Sequence, residues 1–168
     1  MELIDAITTR RSAARLAAPG PNEAELDTLL DAANRAPDHG RLRPWRLRVL
    51  DASARQALAQ AVADARRRRD PAATEEQLEK EREKFLRSPT LLLAACVVRR
   101  DQPKVPEIEQ ILATGAAVEN LILAAHALGF AAMWKTGPAA YDAAVKAAVG
   151  LAADDHIAGF VHLGTRAP

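Results

Sequence analysis

The chain has 168 residues, 49% of them hydrophobic and 27% charged, the proportions of an ordinary globular domain with enough mass to bury a core. Its 23 Lys and Arg nearly cancel 22 Asp and Glu, so no global field recruits nucleic acid or an anionic membrane. The single cysteine, Cys96, excludes an intramolecular disulfide and a thiolate zinc cage, and it favours a reducing cytoplasm.

Acidic Glu2 and Asp5 stand where a signal peptide carries bases, and no apolar leader follows. Residues 2–10 read as a short helix with Leu3, Ile4 and Ile7 on one face. Ala18-Pro19-Gly20-Pro21 breaks the chain. Asn22 with Glu25 then forms a capping-box signal, opening a helix through Leu26, Leu29, Leu30 and Ala33 to about Arg35, where Pro37 ends it. Residues 36–44 are a loop, and the alternation of residues 45–50 suits a half-buried strand. Ser53 with Gln56, and Thr74 with Gln77, predict two more capping boxes and helices over about 54–68 and 75–87.

The apolar run 91–98 predicts a central strand covered on both faces. A long helix over about 106–128 follows, with Gly129 placed to take the left-handed conformation beyond its end. Its second half, Leu121-Ile122-Leu123-Ala124-Ala125, is apolar nearly all round and asks for burial on every side, which a partner subunit could provide. Glu109, Gln110, Glu119, Asn120 and His126 interrupt the stretch too often for a membrane span, which predicts a soluble protein. Residues 130–134 read as a strand, 141–149 as a helix ending at Gly150, and 157–163 as a last strand. The pattern is α+β in one domain over 1–168, without repeats.

Several motifs are absent. The eight glycines nowhere spell GxGxxG or a P-loop, and Lys135-Thr136-Gly137 matches a piece of the β-lactamase signature without any SxxK. There is no HExxH and the four histidines are scattered, so no metal site is predicted. The run Arg66-Arg67-Arg68-Arg69 could serve an interaction domain. Glu75, Glu76, Glu79, Glu81 and Glu83 offset it, however, and no aromatics interleave it for base stacking.

Four segments carry polar residues that packing does not explain: Arg10-Arg11-Ser12 with Arg15, the loop with Arg35 and His39-Gly40, Trp134-Lys135-Thr136-Gly137, and Gly159-Phe160-Val161-His162-Leu163-Gly164-Thr165. Arginines and a hydroxyl suit a phosphate, and cationic or amide donors beside a redox ring stabilise the charge that develops on reduction. Each segment alone has a plainer reading; Arg10 and Arg11, for instance, also complement the dipole of the helix they end.

The joint order resembles the nitroreductase family, and within it the small YdjA-like members. The likeness runs through the early Arg10-Arg11-Ser12, the Arg35-Ala36-Pro37-Asp38-His39 loop, Pro44-Trp45-Arg46, Lys104-Val105-Pro106 before the long helix, Trp134-Lys135-Thr136-Gly137, and the closing Gly159 to Thr165. The resemblance implies a central, mainly antiparallel sheet flanked by helices, and a homodimer with FMN at the subunit interface, each site drawing on both chains. It implies FMN contacts from Arg10, Arg11, Ser12, Arg35, His39, Trp134, Lys135 and Thr136. It also implies a segment associated with the nicotinamide cofactor at Ala124, Ala125, His126, Ala127, Leu128 and Gly129.

Relatives commonly have Arg-Ser where this chain has Lys135-Thr136, which keeps the charge and the hydroxyl but loses the bidentate fork. They also carry a further C-terminal segment where this sequence ends at Pro168, so the resemblance does not carry over to that edge of the substrate pocket. The implied activity is ping-pong: NADH or NADPH passes a hydride to FMN, then a nitroaromatic, quinone or related acceptor takes the electrons. No classical catalytic residue is implied, because the flavin carries the chemistry. A flavin carrier or scavenger without fast turnover is the alternative within the same resemblance.

Overall fold

In a computed structural model that describes residues 1–167, the chain wraps helices around a five-stranded sheet; Pro168 lies outside the described residues. The strands are β1 (Leu16–Ala17), β2 (Trp45–Val49), β3 (Thr90–Cys96), β4 (Ala131–Lys135) and β5 (His156–Arg166). The helices are α1 (Leu3–Thr9), α2 (Glu23–Ala33), α3 (Ala52–Arg69), α4 (Glu75–Leu86), α5 (Glu107–Ala127) and α6 (Ala143–Ala148). Every strand pairing is antiparallel. β3 lies between β2 and β5, while β4 and β1 share the other edge of β5.

The central position of β3 follows from its sequence. Leu91 to Cys96 are all at most 1% exposed, as a continuous apolar run requires when both faces are covered. One face packs against α3 and the end of α4 through Leu58, Val62, Phe85, Leu93 and Phe160. The other packs against α2 and α5 through Leu29, Leu92, Val118, Leu121 and Val161. Alternation along a strand therefore decides which layer a side chain joins.

The helix starts follow local chemistry. Asn22–Glu25 and Thr74–Gln77 both close as reciprocal capping boxes. The box expected at Ser53–Gln56 does not form. Asp51 caps α3 instead, accepting from Ala54 N–H and from the Ser53 hydroxyl at 2.8 Å each, because its carboxylate reaches the first turn two residues earlier. Gly129 has φ of 88° beyond the end of α5, the left-handed conformation expected there.

Three other expectations change. In the second half of α5, α2 and the sheet of the same chain already bury Leu121, Ile122 and Ala125, while Leu123 and Ala124 remain half-buried. The uncovered apolar residues are in its first half, Ile108 at 59% and Leu112 at 65% exposure. The last helix is shorter than the expected 141–149, because a 3-10 turn at Pro138–Tyr141 and an Asp142 cap precede it. β5 runs past the expected 157–163 to Arg166, where β1 pairs with it.

α5 is long and apolar enough to cross a membrane, yet it is the core helix of this fold. Gln110 is 1% exposed and bonds the backbone of Arg99 and Val105, and Thr114 bonds the helix backbone. The arginine run on α3 is neutralised by neighbours: Arg66 pairs with Asp70, Arg67 with Glu75, and Arg68 and Arg69 with Asp142. Cys96 is buried, and burial pushes its thiol pKa up, which suits a small packing residue.

Candidate functional site

The first polar segment leaves α1 and runs beside the open edge of β4, fixed there by Ala13 N–H donating to Ala132 O at 3.0 Å. Arg10 sits 3.8 Å from Glu119 on α5. Arg11 donates to the carbonyls of Thr8 at 2.9 Å and Arg10 at 2.8 Å, so part of its role is to close the end of α1. Arg166, from the end of β5, donates to Arg11 O at 3.3 Å. The Ser12 side chain is exposed, with no hydrogen-bond partner among the described residues.

Two cavities lie along β4. At its start, a cavity of about 200 Å³ is lined by Arg10, Arg11, Arg166, His126, Gly129 and the Ala131–Ala132 backbone. Toward its end, a cavity of about 160 Å³ is lined by Ala13 to Leu16, Arg87, Ser88, Met133, Lys135 and His162. Among the described residues no carboxylate lines either one. A third, of about 330 Å³, adjoins across Lys135 and His162 and reaches Thr136, Arg66, Arg69 and the Lys84–Glu81 ion pair.

Strand alternation divides the closing turn between the two faces. Lys135 stands opposite Phe160 and Met133 opposite His162, on the α3 and α4 side. Trp134 stands opposite Val161, on the α2 and α5 side, where its indole N–H donates to Ala158 O at 3.0 Å. Gly159 is required there, because a Cβ would overlap that indole. Burial, and then the positive charges of Arg87 and Lys84, pull the Lys135 ammonium below its usual pKa.

His162 is 4% exposed, and its Nδ1 lies 2.9 Å from the Ser88 hydroxyl. Burial, and then Lys135, Arg87 and Arg55, push its pKa down to about 4, so it is neutral at pH 7. Arg55 of α3 holds the turn that presents Ser88. Its guanidinium donates to the carbonyls of Phe85, Leu86, Ser88 and Pro89 at 2.6 to 3.3 Å. Arg55, Arg87 and Ser88 escaped the sequence reading, although Arg87-Ser88-Pro89 directly before a buried strand was a readable signal.

The remaining predicted residues lie elsewhere. His39 opens a 3-10 turn (His39–Arg41), and its Nδ1 lies 2.6 Å from Glu109 at the start of α5. Glu109 and Glu119 are ten residues apart on one helix, which separates His39 from Arg10 by about 15 Å along α5. Arg35 is exposed beyond the end of α2 and lines none of these three cavities. Within one chain, therefore, Arg10 and Arg11 line the cavity at the start of β4 and Lys135 and Thr136 line those toward its end, whereas Arg35 and His39 line none of the three.

The nicotinamide segment is divided too. His126 and Gly129 open onto the first cavity, with His126 Nε2 2.8 Å from the Thr9 hydroxyl. Ala125 is fully buried in the core and offers no surface. Ala124 is half-buried, and Ala127 and Leu128 are exposed. Among the described residues no cluster of His, Cys, Asp and Glu could hold a metal.

Two cavities beside one strand, each with cations and, among the described residues, no carboxylate in its lining, suit the anionic groups of a ligand. The FMN expected from the sequence fits that donor set, with phosphate-type partners in Arg10, Arg11 and Ser12 and ring partners near Lys135. The comparisons agree with this family. The chain is 32% identical over 169 residues to YdjA of Escherichia coli (strain K12), which carries an NAD(P)H nitroreductase name, over 98% of this chain and 88% of that protein. Its fold matches a nitroreductase-like family protein from Bacillus cereus with a TM-score of 0.80 and 25% identity, over 100% of this chain and 87% of that one. It also matches NfnB, an FMN- and NADPH-dependent nitroreductase from Sphigopyxis sp. strain HMH, with a TM-score of 0.74 and 22% identity over 98% and 88% of the two chains. The nitroreductase family model matches residues 7–165, and the chain belongs to the nitroreductase family.

Proposed function

We propose that the protein is a cytoplasmic, homodimeric FMN-dependent oxidoreductase that uses NADH or NADPH to reduce nitroaromatic, quinone or related acceptors. The observation that carries this reading is the pair of cavities beside β4, lined among the described residues by cations and no carboxylate: Arg10, Arg11 and Arg166 in one, Arg15, Arg87 and Lys135 in the other. Bound FMN would supply the redox chemistry, taking electrons from the nicotinamide and passing them to the acceptor in two half-reactions.

The chain's own residues bind and polarise. Arg10 and Arg11, which line the first cavity, would hold the phosphate end by charge-assisted hydrogen bonds, with the exposed Ser12 hydroxyl next to them in the chain. Lys135, crowded by Arg87 and Lys84, favours negative charge on whatever ring occupies the second cavity. Thr136 follows with its hydroxyl on the adjoining cavity. Arg35 and His39, distant from this groove in their own chain, are the residues a second copy would contribute. Apolar side chains left uncovered on α1 (Leu3, Ile4, Ile7) and α5 (Ile108, Leu112) support such a pairing.

The test is the double variant Arg10→Ala, Arg11→Ala. Two charge-assisted hydrogen bonds at about 1.5–3 kcal/mol each predict FMN affinity lowered by more than about 100-fold in a protein that still folds. Full flavin occupancy of the purified variant would refute the assignment. Steady-state NAD(P)H oxidation with a quinone acceptor separates a reductase from a flavin carrier.

A further inference from the structure

We propose that His162 is a binding residue of the flavin cleft, donating from Nε2 to a carbonyl oxygen on the pyrimidine edge of FMN; this rests on the flavin reading above. Three observations lead to it. The ring is nearly fully buried, yet it forms part of the wall of both the 160 Å³ and the 330 Å³ cavities. Its Nδ1 is engaged by Ser88, whereas its Nε2 has no partner among the described residues. No buried side-chain nitrogen or oxygen lacks a partner among those residues, so Nε2 is not sealed in the core and must face the cleft.

The network behind the ring sets its proton. Arg55 can only donate, and its Nη2 stands 3.5 Å from the Ser88 oxygen, which directs the serine hydroxyl hydrogen toward Nδ1 of His162. The ring proton then lies on Nε2, pointing into the cleft as a donor. The low pKa of the ring keeps it in this neutral form at pH 7.

The ring edge it meets follows from charge. Lys135 and Arg87 surround His162; Lys84 also depresses the Lys135 pKa, although it is paired with Glu81 at 2.7 Å, the one carboxylate on this wall among the described residues, so Lys135 and Arg87 carry the net positive charge. The pyrimidine edge of an isoalloxazine carries the carbonyl oxygens and takes up negative charge on reduction, so it belongs among these cations, and the apolar benzenoid edge does not. A neutral donor there adds a directed hydrogen bond without a further charge to desolvate.

The experiment compares wild type with His162→Phe, which keeps a flat ring without a donor, His162→Gln, which restores a donor, and Ser88→Ala, which frees the tautomer. The readouts are the FMN dissociation constant of the apoprotein and the midpoint potential of the bound flavin. His162→Phe is expected to bind FMN about threefold to tenfold more weakly and to shift the potential negative. His162→Gln should stay within about twofold of wild type, with Ser88→Ala in between. Wild-type affinity and potential in His162→Phe would overturn the assignment, as would a His162→Gln loss equal to that of His162→Phe. Should His162→Phe fail to fold, an unchanged potential in Ser88→Ala overturns it. Wild-type protein that takes up no FMN would overturn the flavin reading itself, and this assignment with it.

Discussion

The buried, neutral His162 makes stability depend on pH in a calculable way. The folded chain holds this ring unprotonated down to about 4, whereas an unfolded histidine protonates near 6.5. The unfolded state therefore binds the extra proton first. The stability tied to this group is fully present above about pH 6.5 and is lost as pH falls toward 4. The interval of about 2.5 pH units, at about 1.4 kcal/mol per unit, amounts to about 3 kcal/mol in the limit. Between pH 7 and pH 5, above the range where most carboxylates titrate, the same relation predicts a loss of about 2 kcal/mol. For a denaturation slope of about 2 kcal/mol/M, the urea midpoint should drop by about 1 M.

The assay is urea unfolding at pH 7 and pH 5 for wild type and His162→Gln in parallel. The variant lacks the titrating group, so the excess pH dependence of wild type over variant reports this residue alone. The groups facing the ring, Arg55, Arg87 and Lys135, are the same in both proteins, so their contribution cancels in the comparison. Equal slopes for the two proteins, or a wild type that gains stability toward pH 5 relative to the variant, would refute the reasoning.

Gly159→Ala places a methyl group on the Trp134 indole, so it should destabilise the protein by about 1–3 kcal/mol and shift tryptophan emission, read by thermal melting and fluorescence. Asp51→Ala removes the cap of α3 and should cost about 1 kcal/mol in urea unfolding, with flavin binding unchanged. Charging the uncovered face of α5 with Ile108→Asp and Leu112→Asp should yield a folded monomer by analytical ultracentrifugation that has lost its FMN; an intact dimer would count against this interface.

Much of the fold was legible because its signals are local. The reciprocal Asn22–Glu25 and Thr74–Gln77 boxes and the apolar run of β3 each encode their element within a few residues. β1 is two residues long and exists only because Arg166 and Thr165 pair with it, a long-range fact with no local signature. The most exposed apolar residues of α5, Ile108 and Leu112, were not foreseen for a similar reason, since only the packed fold shows that α2 and the sheet bury Leu121, Ile122 and Ala125.

The site divides in the same way. Arg10, Arg11, Ser12, Lys135 and Thr136 were expected from their order along the chain; where they lie relative to β4 depends on the Ala13–Ala132 hydrogen bond and on β4 pairing with β5. His162 stood in a flagged segment, without a role. Its role depends on Ser88 and Arg55, which lie 74 and 107 positions earlier in the chain and meet it only through tertiary packing.

The visible spectrum of the purified protein, before and after incubation with FMN and desalting, tests the central claim most directly. The proposed function predicts a retained flavin absorption band that bleaches when NADH or NADPH is added without oxygen and returns on addition of a quinone. A colourless protein that cannot be reconstituted with FMN would contradict it.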